Sequence, residues 1–424
     1  MPNILVLNAG SGSQKVVLFT INPGSKTPSP PVWQAAINST TPGQPEGYFI
    51  AQIASDRGEE EIYVPRDSSV AQKLEMLIRT SWEGQSAALE TPEQIDLVGH
   101  RVVHGGRQFS CATLVTQEVE SIIAKLGELA PLHNPHNLAG IAACREILGL
   151  NVPQFAVFDT AFHRTLPEAA ATYAGPFEWI EKGYVRYGFH GTSFRYANRR
   201  AAEILGRQQD ENLCQILCHL GGGCSLAAVR GTRCLDTTMG FTPMDGIAMC
   251  TRSGAIDPGL MLHLLRHGVD LDSLEQMLNK QSGLAGLSGM PGDTRLIFPK
   301  ARANDRRAKL AMDVFIHRLR AGIGSMLASL GHLDALIFTD VIGESEPVLR
   351  ERVCSTFGFL GLRLDAGLNA SSPADTDIAA PHSTVRVLIV ASHENWQIAA
   401  ESFDAWQRHS GPEGENARSM LFSS

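Results

Sequence analysis

No run of about eighteen apolar residues occurs anywhere in the 424-residue chain, so no membrane span is expected. Basic residues are outnumbered: 36 Lys and Arg against 44 Asp and Glu leave a formal charge of −8. That balance argues against a nucleic-acid partner bound by charge neutralisation. It leaves nucleotide binding open, because small phosphates are held by local donors. The first residues lack a basic segment followed by a long apolar one, and Asn8 interrupts the first apolar run at once. No secretory leader is therefore expected, and the cytoplasm is the expected setting. Among eight cysteines only Cys214 and Cys218 are closely spaced, and no second pair at zinc spacing follows. They read as buried free thiols of a reducing compartment. Also missing are GxxxxGK[ST], a dinucleotide GxGxxG after a strand and a nucleophile elbow. Those absences exclude a P-loop, a Rossmann site and a Ser/His/Asp hydrolase.

What is present is an ordinary globular balance, 43% hydrophobic and 19% charged, long enough for about two domains. Apolar β-branched runs alternate with longer amphipathic stretches, which predicts an α/β fold. Strands are expected at 3–8, 15–21, 95–103, 153–159, 213–219, 224–229, 333–339 and 385–391. Helices are expected at 70–82, 117–128, 136–147, 193–205, 259–267, 271–280, 304–330 and 394–408. The helix at 304–330 carries a stripe of period 3.6 that includes Leu310, Met312, Val314, Phe315, Leu319, Ile323, Met326 and Leu327. Pro-rich 22–31 reads as a surface loop and polar 408–419 as a fraying tail.

Several polar clusters interrupt this frame. The stretch "LVLNAGSGSQKVVLF" (5–19) joins two apolar runs through a Gly/Ser turn, with Lys15 at its exit. Such a turn is either a plain hairpin or a nest of backbone N–H groups for an anion, with Ser11 and Ser13 as further donors. The same pattern recurs in "QILCHLGGGCSLAAVR" (215–230), which suggests two related lobes. Arg101 lies in "GHRVVHGG", His133 in "PLHNPHN" and Asp159 at the end of an apolar strand. Strand ends are the usual position of working residues in an open α/β sheet. His190 precedes a helix whose cap is expected at Thr192 or Ser193. Arg252 sits among small residues in "CTRSGAIDPG", where its fork suits an anion clamp or simply faces water. Two arginines, two histidines, a strand-end aspartate, two Gly/Ser turns and a lysine fit phosphoryl transfer, which runs on positioning and charge neutralisation.

Ordered blocks from "LVLNAGSGSQK" through "GHRVVHGG", "APLHNPHN", "VFDTAFH", "YGFHGTS", "MGFTPMDG" and "TRSGAIDPG" to "VLIVASHENWQIA" span almost the whole chain. In them the chain resembles the acetate kinases, whose superfamily includes sugar kinases, actin and chaperone ATPases. The resemblance implies two ribonuclease-H-like lobes, a duplicated βββαβαβα-type core, with an active-site cleft between them. It places the first lobe at 1–159 plus 395–424 and the second, nucleotide-binding lobe at 160–394. It also implies a cytoplasmic homodimer that phosphorylates acetate reversibly, with ATP/ADP as co-substrate and Mg²⁺ or Mn²⁺. Carried over residue by residue, Asn8 and Glu394 hold the metal, directly or through water. Ser11, Ser13 and Lys15 contact phosphate. Arg101 and Arg252 grip the acyl carboxylate and the phosphoryl group in flight. His190 stabilises the transition state, Asp159 is the essential aspartate and His133 supports it. Val103, Leu132, Phe189 and Pro243 wall the acyl pocket. His219, Gly221, Gly222 and Gly223 form the second phosphate turn, with Asp293, Arg295, Asp340 and Gly343 at the nucleotide.

Departures from that family pattern gather on the nucleotide side. Gly222 stands for an asparagine, Asp340 and Val341 for two glycines, and Ser345 for an asparagine. A carboxylate and a branched side chain there are expected to crowd or repel a nucleotide. The alternatives to acetate kinase are therefore a propionate or butyrate kinase, a kinase with another phosphoryl donor, and a nucleotide-binding protein without turnover.

Overall fold

A computed structural model describes residues 1–9, 13–24, 27–38, 45–131 and 133–410. Ser11, Leu132 and the tail from 411 onward lie outside the described residues, as does the side chain of Ser13. The chain divides into two compact units, Met1–Ala161 with the segment from His393 onward, and Phe162–Ser392.

The first unit is built on eight strands: β1 (Asn3–Ala9), β2 (Ser13–Thr20), β3 (Trp33–Asn38), β4 (Tyr48–Ser55), β5 (Gly58–Pro65), β6 (Leu97–Val102), β7 (Thr113–Leu114) and β8 (Gln154–Phe158). They lie in the order β5-β4-β3-β2-β1-β6-β8-β7. β1, β2 and β3 are antiparallel, while β6 runs parallel to β1 and β8 parallel to β6. Every residue of β8 is buried, as are five of the six residues of β6, which carries His100 and Arg101, because helices cover both faces. One of these is Glu394–Ser410, whose Ile398 and Ser402 pack on Gly99 of β6. A Cβ at Gly99 would lie 2.5 Å from Ser402 Oγ, so the glycine sets how closely the helix approaches.

The second unit has six strands: β9 (Cys214–Leu220), β10 (Cys224–Arg230), β11 (Arg233–Thr237), β12 (Ala335–Thr339), β13 (Thr376–Asp377) and β14 (Arg386–Ile389). Their order is β11-β10-β9-β12-β14-β13. β9, β10 and β11 are antiparallel, and β12 and β14 continue the sheet in parallel. Five consecutive strands, β11-β10-β9-β12-β14, repeat the order and direction of β3-β2-β1-β6-β8, so the mixed α/β, duplicated architecture is the one expected. The two glycine-rich turns occupy equivalent places: Asn8 pairs with Lys15 across β1–β2, and His219 with Ser225 across β9–β10.

The structure corrects three details. The hairpin β4–β5 was not expected, because "GEEEIYVP" carries three glutamates; only its alternate residues turn inward, with Val64 buried, as suits a charged edge strand. The long helix runs from Arg306 to Leu330 and buries Ala308, Met312, Phe315, Leu319, Ile323, Met326 and Leu330, whereas Leu310 is 52% exposed. Each of the larger buried side chains of that row contributes about 2 kcal/mol, far more than helix propensity. Finally, the helix Gly191–Ile204 is capped by His190 in a left-handed conformation (φ 59°), not by Thr192 or Ser193.

Candidate functional site

In the first unit, three strand ends meet one helix start. Asn8 is near the end of β1, Arg101 near the end of β6, and Asp159 directly follows β8, whose position is fixed by its N–H donating to the Val102 carbonyl. Asp159 is 1% exposed and accepts from Arg101 Nε to both oxygens at 3.0 Å and from Nη2 at 2.6 Å. The fork geometry fixes the guanidinium plane and neutralises a buried carboxylate. Arg101 Nη1 also donates to Asn8 Oδ1 at 3.1 Å. Asn8 Nδ2 in turn donates to Asn395 Oδ1 at 2.9 Å and Glu394 Oε2 at 3.4 Å, at the first turn of the last described helix. The side-chain acceptors at this corner are carboxamide and carboxylate oxygens, a hard donor set that fits Mg²⁺ or Mn²⁺. Lys15 is exposed, opposite Asn8 in the strand register.

The adjoining wall is made from "GHRVVHGG" and "HNPHN". Asn137 Oδ1 accepts from the Val103 N–H at 3.2 Å and Asn134 Oδ1 from the His104 N–H at 3.1 Å. Val103 is 4% exposed. His133 is half-buried and caps the helix Asn134–Leu148. The two asparagines escaped the sequence reading; their only signal was their place in a histidine-rich turn beside a proline. His104 is buried, which pushes its imidazole down to about 4. A cavity of about 530 Å³ opens at the opposite end of the same sheet, beside Pro153, Gln154 and Trp406, and includes none of the expected residues.

In the second unit the site gathers around the β9–β10 turn. His190 Nδ1 shares a 2.8 Å hydrogen bond with Ser225 Oγ, and its ring stacks on His219 at 4.1 Å. His219 Nδ1 shares a 2.8 Å bond with Ser193 Oγ. Ser193 is thus taken from helix capping to orient a histidine. Gly223 lies beneath His190 and Arg252: an added Cβ would stand 3.1 Å from the imidazole and 3.5 Å from Arg252 Nη1. Arg252 Nη1 donates to the Pro243 carbonyl at 3.2 Å. Phe189 is buried, and its carbonyl faces His163 Nε2 at 2.9 Å. Gly222 has open space around it.

The remaining expected residues of this unit sit on the flanks of the turn. Asp293 caps the helix Thr294–Arg302. The side-chain hydrogen bond from Arg295 holds the Asp293 carboxyl below its ordinary range. Arg295 itself is 78% exposed. Their segment touches the turn through Cys250, whose carbonyl lies against Gly292 and whose thiol donates to the Gly221 carbonyl at 3.3 Å. Asp340 opens the short helix Asp340–Ser345, directly after β12, with φ 65°. Its Oδ2 is 3.2 Å from His219 Nε2. Gly343 lies in the same helix, its carbonyl accepting from the fully buried Arg350 at 2.8 Å. Val341, expected to crowd a ligand, is 61% exposed. All eight cysteines are free, and only Cys111 is exposed.

Comparison with known proteins finds relatives over nearly the whole chain. The sequence model of the Acetokinase family matches residues 3–400. An acetate kinase of Trichormus variabilis is 48% identical over 408 residues, covering 96% of this chain and all of the relative. Among solved structures, the acetate kinase of Porphyromonas gingivalis superposes with a TM-score of 0.86 at 34% identity, covering 96% of this chain and all of the other. A propionate kinase from Francisella tularensis gives 0.85 at 36% identity, covering 95% of this chain and all of the other.

Proposed function

The chain belongs to the acetokinase family, and from that premise we propose that it transfers the γ-phosphoryl group of ATP to acetate, reversibly, by direct in-line displacement. The observation that carries this reading is the buried Arg101–Asp159 pair beside the oxygen donors Asn8 and Glu394. Acetate is already ionised at neutral pH, so no general base is required. The obstacle is charge. At about 4 Å and an effective dielectric near 20, a carboxylate and one phosphoryl charge repel by about 4 kcal/mol. Asp159 therefore serves to hold Arg101 in one orientation, not to abstract a proton, and Arg101 presents its charge to the acyl carboxylate.

Arg252 supplies the second positive charge. It is anchored through the Pro243 carbonyl beside Gly223, where a Cβ would press on the His190 ring at 3.1 Å. In the tautomer that accepts the Ser225 hydroxyl at His190 Nδ1, Nε2 carries the proton and is the atom assigned to donate to the equatorial oxygens of the phosphoryl group. Asn8 and Glu394 would hold Mg²⁺ directly or through water, and the ion, when bound, neutralises donor phosphate charge. To the donor phosphates we assign Lys15 in the first unit and the Gly221–Gly223 turn in the second, and to the nucleoside Asp293, Arg295 and Gly343. Contact with the acyl group is assigned to Val103 in the first unit and to Phe189 and Pro243 in the second.

Purified chain with ATP, Mg²⁺, acetate and hydroxylamine should yield acetyl hydroxamate, and none with any donor would overturn the proposal. Replacing acetate by propionate separates the second reading, supported by the Francisella likeness. A difference of one methylene changes kcat/KM by about 10- to 200-fold. The helix Pro258–Arg266 buries no residue of its own and leaves Leu260, Leu262 and Leu265 40–51% exposed, which supports a second copy of the chain as its cover. Light scattering should report a dimer that Leu262→Glu converts to monomer.

A further inference from the structure

Asp340 stands in a conformation that few residues other than glycine adopt, at φ 65°. The consequence is where its side chain goes. Oδ2 reaches 3.2 Å from His219 Nε2, while Ser193 holds the opposite ring nitrogen. The same Oδ2 lies 1.8 Å from the place a Cβ on Gly221 would take, so Gly221 is required by the carboxylate lying against it. The backbone behind it is pinned. Arg350, wholly buried, donates to the Gly343 and Glu344 carbonyls at 2.8 and 2.9 Å and to Asn369 Oδ1 at 2.9 Å. The carboxylate is therefore a held anion within a turn whose Gly223 lies under His190 and Arg252.

We propose that Asp340 is a specificity-determining residue for the phosphoryl donor: its carboxylate occupies the β9–β10 turn at rest, and a nucleoside polyphosphate binds by displacing it from His219. The inference rests on the proposed kinase reading and assigns a feature of that same site. A donor phosphate and the carboxylate cannot share the turn, because two negative charges at contact distance repel strongly. The chain thus binds its nucleotide more weakly than the turn alone would allow, and binding of the carboxylic acid is unaffected. Gly221 marks the cost of the arrangement in sequence: no other residue leaves room for the latch.

Steady-state kinetics of Asp340→Gly and Asp340→Asn, with calorimetry of MgADP binding, test this. Glycine suits the positive φ and removes the anion; asparagine keeps the size and the left-handed preference but not the charge. Both should lower KM for MgATP and Kd for MgADP by about tenfold or more, with KM for acetate changed less than twofold. Unchanged or raised nucleotide constants in both variants would overturn the proposal. If only the glycine variant gains affinity, bulk rather than charge is responsible and the electrostatic latch is refuted. If neither the parent chain nor the variants make hydroxamate, the kinase reading fails, while the MgADP calorimetry still decides the role of Asp340.

Discussion

Two aspartates follow parallel strands of the two sheets, and they are used in opposite ways. Asp159, after β8, is buried and grasped by the Arg101 fork. Asp340, after β12, is only partly buried and faces an imidazole. The first carboxylate is neutralised permanently, so its effect is to immobilise a cation for an incoming anion. The second is opposed, among the described residues, by the His219 imidazole, so its effect is to keep an anion site filled until something better arrives. The same side chain at the same kind of strand end is thus a scaffold in one unit and a competitor in the other. The partner residue makes the difference: a bidentate guanidinium cannot be displaced cheaply, whereas an imidazole can.

The contrast breaks most sharply at Arg101. Arg101→Ala should leave Asp159 buried without its partner, costing about 3–5 kcal/mol of stability and about 10³-fold in kcat/KM. Arg101→Lys should restore much of the stability but little of the rate, because a point charge cannot reproduce the fork; thermal melts and initial rates check both. His190→Ala comes next, with a fall of about 10²-fold in kcat; Ser225→Ala should give about tenfold and move the pH–rate profile, since it acts only through the ring.

Acid should separate the units by stability. Burial lowers His100 and His104 in the first unit and His163 in the second to about 4 from an ordinary 6.5. The unfolded chain takes up these protons first, so their contribution is complete above 6.5 and is lost as the pH falls toward 4. Each group costs up to about 1.4 kcal/mol per pH unit in that window. Hydrogen exchange at pH 5.5 against 7.5 should show the larger loss of protection in β6 and β8, beside two of the three histidines. The smallest effect is expected for Ser193→Ala, which frees the His219 ring from its 2.8 Å tether and should change KM for nucleotide by about threefold while leaving the melting temperature within a degree or two.

Much of this was legible in the sequence because the main elements obey local rules. The central strands are largely apolar runs, and the two glycine turns announce the duplicated topology through their matching flanks. Arg101, Asp159 and His190 stood out as polar residues at element ends. What was not legible depends on contacts across long sequence separations. Ser193 reads as a helix cap, and only the approach of His219 from β9 redirects it. Asn137 reads as a helix residue and Asn134 as part of the turn before it, and only the chain leaving β6 gives their side chains backbone N–H groups to accept from. The three glutamates of β5 speak against a strand until β4 supplies the ladder. Asp340 was expected to crowd or repel a ligand, and its left-handed backbone turns the carboxylate onto His219 within the turn; Val341, expected to do the same, faces outward.

Isotope transfer tests the central claim most directly. With acetate labelled by ¹⁸O in both carboxylate oxygens, transfer forms a bond between an acetate oxygen and the γ-phosphorus and breaks the bond to the ADP oxygen. Hydroxylamine then attacks the carbonyl carbon, and the bridging oxygen leaves with phosphate. The account predicts one ¹⁸O in each inorganic phosphate released, matched by one acetyl hydroxamate. Unlabelled phosphate appearing as ATP is consumed would show that water, not acetate, is the acceptor and would contradict it.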